Sequence, residues 1–330
     1  MNKKAILLLP FTCFLLSLNS VLLPLSAQNV SKFYEQNTAL DYSDGDKQAG
    51  ILPEQPTEFD PNFHIYLCFG QSNMEGNAKI ETVDRQNLDP RFRMMAAVDM
   101  NNTGRKKYEW YAAVPPLCRA WTGLTPADYF GRTLVARLPK KIKVGVINVA
   151  VGGASINLYD EDKTADYISK QADWFKNFCK DYDNEPMRRL MECAKRAQKV
   201  GVIKGILLHQ GCTDNNQQDW PQRVKLVYER MLKELNLKAE DCPLLVGELM
   251  TQEDGGCCFH HNAIIDRINE TIPTAYPVLS LGCPGRPDKL HFTAEGYRIL
   301  GTRYADVMLR LLKHKKPMTI EQQKAYYNKK

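Results

Sequence analysis

Five short apolar runs, separated by stretches of helical periodicity, constrain this chain more than any other feature. They are residues 64–69 (His-Ile-Tyr-Leu-Cys-Phe), 143–151 (Lys-Val-Gly-Val-Ile-Asn-Val-Ala-Val), 202–209, 244–250 and 277–281. Between and after them, residues 126–138, 186–200, 220–235, 260–272 and 293–312 carry apolar side chains at helical spacing. Thr125 followed by Pro126 reads as a cap with proline at the first helical position. Uninterrupted apolar strands alternating with helices predict βαβ units. The expected architecture is α/β, a mostly parallel five-stranded sheet covered by helices on both faces.

The rest of the chain divides around that body. Residues 1–27 have the layout of a secretory signal: Lys3 and Lys4, an apolar stretch broken by Pro10 and Pro24, and Leu25-Ser26-Ala27 as the exit. Export follows as an expectation, with Gln28 near the mature start. Residues 28–59 read as an extended lead-in, 60–312 as one domain and 313–330 as a solvated basic tail; residues 79–121 read as an elaborated loop region. The formal charge is +6, but the first residues carry +2 and the last 18 carry +5, leaving about −1 between them. A nucleic-acid binder needs a basic face on its folded body, so that class is disfavoured. Nine cysteines follow residue 27, an odd number, so disulfide pairing would leave at least one thiol. Cys257-Cys258-Phe259-His260-His261 packs its side chains too tightly in sequence to converge on a metal, and no metal or cofactor is expected.

In open α/β sheets, ligands bind beyond the carboxyl ends of the strands. The residues there are Gly70-Gln71-Ser72-Asn73-Met74-Glu75-Gly76, Gly152-Gly153-Ala154-Ser155, His209-Gln210-Gly211-Cys212-Thr213-Asp214-Asn215 and Pro287-Asp288-Lys289-Leu290-His291-Phe292. A hydrolytic serine needs a base, a carboxylate to orient the base and donors for the oxyanion. Ser72, His291 and Asp288 have the chemistry for the first three roles. The Ser72 and Gly153 backbone N–H groups and the Gln210 side-chain amide are the expected donors, with Asn215 competing for the third place. Ser72 as a helix cap is the competing structural reading.

These four blocks resemble the SGNH/GDSL hydrolase superfamily. Within it they are similar to the sialate O-acetylesterase-like and carbohydrate esterase family 6 (acetylxylan esterase-like) branch, over about residues 60–312. The resemblance implies a three-layer, flavodoxin-like α/β/α sandwich and removal of acetyl groups from carbohydrate hydroxyls. It implies Ser72 as nucleophile, His291 as base and Asp288 as its orienter, with Gly153 and Gln210 binding the oxyanion. Gln71, Asn73 and Asn215 are assigned to the substrate. The third block departs from the branch: Cys212 stands where it usually has Glu, and Asp214 follows two residues later.

Other polar residues have structural readings beside them. Glu75 is read as setting the turn after the first strand, and His209 as a core histidine. Glu248 faces either the cleft or a buried partner. Trp110, Tyr111 and Trp121 stack on sugar rings or pack in the core. The leading expectation is an exported carbohydrate O-acetylesterase acting on an acetylated oligo- or polysaccharide, without a stable membrane anchor. A lipase-like or aryl esterase of the same superfamily and a non-catalytic glycan-binding member are the alternatives.

Overall fold

A computed structural model describes residues 55–328, so the expected signal segment 1–27 and most of the lead-in lie outside the described residues. The first strand, β1 (Phe63–Gly70), is central and runs parallel to two neighbours, β4 (Lys143–Ala150) and β5 (Val202–His209). Beyond β4 lie β2 (Phe92–Met95), parallel to it, and β3 (Trp110–Ala112), antiparallel to β2. Beyond β5 lie β6 (Leu244–Gly247) and β7 (Ala275–Val278), both parallel. The sheet therefore has seven strands in the order β3-β2-β4-β1-β5-β6-β7. The five expected strands form its body. The two additional ones come from residues 79–121, and at four and three residues they are too short to show a period.

Nearly every residue of the three central strands is buried, as expected where both faces carry helices. On one face, α2 (Pro126–Arg137) packs against α9 (Ala294–Leu312), and Gly301 lets the two backbones approach where a Cβ would overlap the Pro126 carbonyl. Phe130 of α2 stands edge-on to Tyr66 of β1 at 4.8 Å between ring centroids. Thr125 Oγ1 caps α2 by accepting from Ala127 N, and Thr293 Oγ1 caps α9 by accepting from Gly296 N. On the other face, α5 (Pro186–Ala197) covers β1, β4 and β5. Beside it lies α6 (Trp220–Glu234), both touching the short 3-10 turn Ile156–Tyr159.

Three regions differ from expectation. The helical pattern over 260–272 is broken into the 3-10 turn Phe259–His261 and two single turns, α7 (Asn262–Ile265) and α8 (Ile268–Thr271). Residues 151–185 also hold two helices, α3 (Thr164–Ser169) and α4 (Asp173–Lys180). The tail is not simply solvated, because α10 (Ile320–Tyr327) forms within it, opened by a Thr319–Gln322 capping box and anchored by buried Ile320 and Gln323.

Candidate active site

The chain leaves β1 through Gly70, whose φ of +144° and lack of Cβ let it lie against the His209 carbonyl. Gln71 N then donates to that carbonyl at 3.0 Å. The single turn α1 (Ser72–Glu75) follows, closed by Gly76 N donating to Ser72 O. Thr125 Oγ1 and Asn148 Nδ2 both donate to Met74 O, at 2.7 and 2.8 Å. Glu75 is fully buried and accepts from Gly152 N at 2.9 Å and from Arg119, whose guanidinium stacks 4.1 Å from the Trp121 ring. The ion pair fixes the β1 turn to the segment after β3, and the Gly152 hydrogen bond fixes it to the loop after β4. Glu75 thus sets the turn, as its sequence context suggests.

Ser72 Oγ and His291 Nε2 are 2.8 Å apart, and His291 Nδ1 is 2.9 Å from Asp288 Oδ2. Asp288 Oδ1 accepts the backbone N–H groups of Leu290 and His291, both at 2.9 Å. Burial pushes the Asp288 carboxyl upward. The His291 hydrogen bond and charge, with the two backbone donors, outweigh it and hold the group well below the usual carboxylate range. An ionised Asp288 accepts from Nδ1–H, which leaves Nε2 free to take the serine proton. Ser72 and His291 are 8% and 5% exposed, so little water competes for the hydrogen bond between them.

The donors around Ser72 divide clearly. Its own backbone N–H and that of Gly153 donate to no acceptor among the described residues. Gly153 sits at φ +76°, and a Cβ there would lie 2.9 Å from the Trp174 ring. Gln210, the expected third donor, is occupied. Its Nε2 donates to Ala154 O at 3.1 Å and Asp214 Oδ2 at 2.7 Å, and its Oε1 accepts from Trp220 Nε1 at 2.5 Å. An amide has two N–H bonds, so Gln210 has none left for an oxyanion. Gln71 has the complementary pattern. Its Oε1 accepts from Gly211 N and Cys212 N, each at 3.0 Å, while its Nε2 meets only the Cys212 side chain among the described residues, which leaves one of its two N–H bonds for a ligand.

The other substrate assignments are corrected in part. Asn73 is fully buried, accepting from Tyr297 OH at 2.6 Å and donating to Leu290 O at 3.1 Å, so it ties the serine turn to the histidine loop. Asn215 keeps a buried Oδ1 with no hydrogen bond among the described residues. Asp214 is the carboxylate that the loop after β5 does carry. Buried, it accepts from Ser155 Oγ, Ile156 N and Gln210 Nε2 at 2.7–2.8 Å and meets Arg223 at 3.3 Å. Sequence reading missed this role because two of its partners, Ser155 and Ile156, come from the separate loop after β4.

His209 is a core residue. Its Nε2 donates to Glu248 O at 3.0 Å, and burial lowers its pKa to about 4, so the ring is neutral. Glu248 is also buried, accepting from Ser280 N at 2.7 Å; burial and the neighbouring Asp266 push it up to about 8. Trp110 and Tyr111 are buried at the sheet edge. Trp121 is half-buried, with its ring centroid 4.9 Å from Phe178, which stands 5.5 Å from Trp174.

A family model described as "Carbohydrate esterase, sialic acid-specific acetylesterase" matches residues 62–310. Among solved structures, NanS is 15% identical with a TM-score of 0.57, over 78% of this chain and all of that one. A protein from Arabidopsis thaliana is 19% identical with a TM-score of 0.55, over 76% of this chain and 98% of that one. A carbohydrate acetylesterase from Xanthomonas citri is 17% identical with a TM-score of 0.51, over 78% of this chain and 58% of that one. At these identities the likeness is one of fold.

Proposed function

The chain belongs to the sialic acid-specific acetylesterase family of carbohydrate esterases and is a carboxylic ester hydrolase, and from that premise we propose that it removes O-acetyl groups from carbohydrates by a Ser72–His291–Asp288 acyl-enzyme mechanism. The observation that carries this reading is the continuous hydrogen-bonded chain from Ser72 Oγ through His291 to Asp288, beside two backbone N–H groups that meet no acceptor among the described residues.

Ser72 Oγ attacks the acetyl carbonyl carbon as its proton passes to His291 Nε2. The oxyanion that forms meets the N–H groups of Ser72 and Gly153. We assign the third donor to Gln71 Nε2, because Gln210 has no free N–H. Gly211 and Cys212 hold the other end of the Gln71 amide, so this donor is oriented before substrate arrives. His291 then protonates the departing sugar oxygen, and water repeats the sequence on the acetyl-serine. Half-buried Trp121, Trp174 and Phe178, beside Gly153, give a sugar ring an aromatic surface next to the ester. The basic, then apolar, then small-residue order of residues 1–27 supports export to the periplasm or beyond.

The test is acetate release from acetylated xylan, acetylated sialic acid and a short-chain nitrophenyl ester. Ser72→Ala is expected to lower kcat by about 10⁶-fold while the protein stays folded. Near-full activity in that variant would overturn the mechanism, and the preferred ester identifies the substrate.

A further inference from the structure

Three thiols meet at the rim of this site. Cys258 Sγ lies 3.7 Å from Cys257 Sγ and 3.9 Å from Cys212 O, and the Cys212 and Cys258 side chains are hydrogen-bonded to each other. Cys212 comes from the loop after β5, and Cys258 from the loop after β6, 46 residues later. Both loops support the site. Cys212 N helps hold Gln71, and Cys257 N donates at 3.0 Å to Lys289 O, between Asp288 and His291. Cys212 and Cys257 are partly exposed and Cys258 is 3% exposed.

We propose that Cys212 and Cys258 form a reversible disulfide, and that this bond lowers esterase activity by drawing Cys212 away from Gln71. The partner choice follows from geometry. Adjacent residues across a trans peptide have Cα atoms about 3.8 Å apart, whereas an unstrained disulfide needs about 4.4–6.8 Å. The neighbours Cys257 and Cys258 are therefore a poor pair despite their contact, and Cys212 approaches Cys258 from a separate loop.

The Cys258 thiol accepts hydrogen bonds from both neighbours, which lowers its pKa to about 7 and supplies thiolate at neutral pH. The oxidant is a small-molecule disulfide, RSSR. The Cys258 thiolate attacks one sulfur of RSSR. A Cys258–S–S–R bond forms and RS⁻ leaves, taking the proton from Cys212. The Cys212 thiolate then attacks Cys258 Sγ and releases the second RS⁻, which is protonated by water. Two protein thiols are oxidised, and one RSSR is reduced to two RSH.

The experiment treats the full protein with oxidised glutathione, maps its peptides by mass spectrometry and measures hydrolysis before and after dithiothreitol. The expected product joins the Cys212 and Cys258 peptides with the loss of two hydrogens. Hydrolysis is expected to fall about tenfold, less than the roughly 10²–10³ that outright loss of an oxyanion donor costs, and to recover on reduction. Cys258→Ser abolishes both effects with its untreated activity kept, and Cys257→Ser retains both. Absence of the crosslink, a crosslink through Cys257, or equal rates in the oxidised and reduced enzyme would overturn the proposal. The activity arm rests on the esterase reading. The crosslink arm does not, so failure of that reading shows separately as an untreated protein without Ser72-dependent hydrolysis.

Discussion

Gln71→Glu separates the two jobs that the Gln71 side chain performs. Glutamate has nearly the same shape and keeps an oxygen for the Gly211 and Cys212 N–H groups, so the 3.0 Å clamp survives. What it loses is the Nε2–H donor. Loss of one oxyanion donor costs about 10²–10³ in kcat, or roughly 3–4 kcal/mol. A carboxylate here also repels the oxyanion. At about 4 Å and an effective dielectric constant near 20, that adds up to about 4 kcal/mol. The expected fall in kcat is therefore at least about 10³-fold, with the melting temperature nearly unchanged. Gln210→Met is the control. It leaves the buried Trp220 Nε1 unpaired and strips Asp214 of a donor, so it loses about 1–3 kcal/mol of stability per orphaned group. Its kcat in the remaining folded protein is expected to stay within about tenfold of wild type, since no oxyanion donor is removed. Steady-state acetate release and thermal unfolding on both variants give the answer. If Gln71→Glu kept more than about a tenth of wild-type kcat, or if Gln210→Met lost hydrolysis without losing stability, the donor assignment would be refuted.

Three further outcomes follow from the same geometry. Asp288→Asn keeps an oxygen for the Leu290 and His291 N–H groups but presents an N–H to His291 Nδ1, forcing the wrong tautomer; kcat is expected to fall about 10⁴-fold with little thermal change, and a loss below about tenfold would contradict the Asp288 role. Glu248 folds with its pKa raised from 4.5 to about 8, so folding takes up a proton. Its contribution is fully present below 4.5 and lost as pH rises through 8, and Glu248→Gln is expected to gain on the order of a few kcal/mol on wild type from pH 5 to pH 9 in denaturant titrations, an equal slope being the adverse result. Trp174→Ala is expected to raise KM for acetylated polysaccharide about 3–10-fold while leaving hydrolysis of a nitrophenyl ester unchanged, and equal effects on both would remove the indole from sugar binding.

The body of the fold was legible because burial on both faces leaves a one-dimensional signal. The five apolar runs correspond to strands, and Thr125-Pro126 marks the start of α2. Short elements carry too few residues for such a signal. The short Phe-Arg-Met-Met strand and the Trp-Tyr-Ala edge strand hold their place through pairing with β4 and with each other, which only the tertiary structure reveals. The candidate site divides the same way. Ser72, Asp288 and His291 could be picked out by residue type and position at strand ends, and the structure brings them within hydrogen-bonding distance. Which amide has a free N–H is a matter of who already accepts from it. That is why Gln210 looked available in the sequence and is not, and why the donor capacity of Gln71 was not visible there. Asp214 was obscured for a related reason: what its carboxylate holds, Ser155 Oγ and Ile156 N, is more than fifty residues away in sequence.

The helix α10 bears on solubility as well as architecture. A strand at the border of a sheet exposes unpaired backbone groups that recruit other chains. β7 occupies that border, and Gln323 meets it with both ends of its amide: Nε2 donates to Pro277 O at 2.9 Å, and Oε1 accepts from Leu279 N at 3.0 Å. One side chain thereby imitates the next strand and ends the ladder. Pro277, which has no N–H to offer, blunts the same border from within. A truncation after α9 would keep every residue of the candidate site and remove this stopper, giving an enzyme with intact chemistry and an adhesive flank.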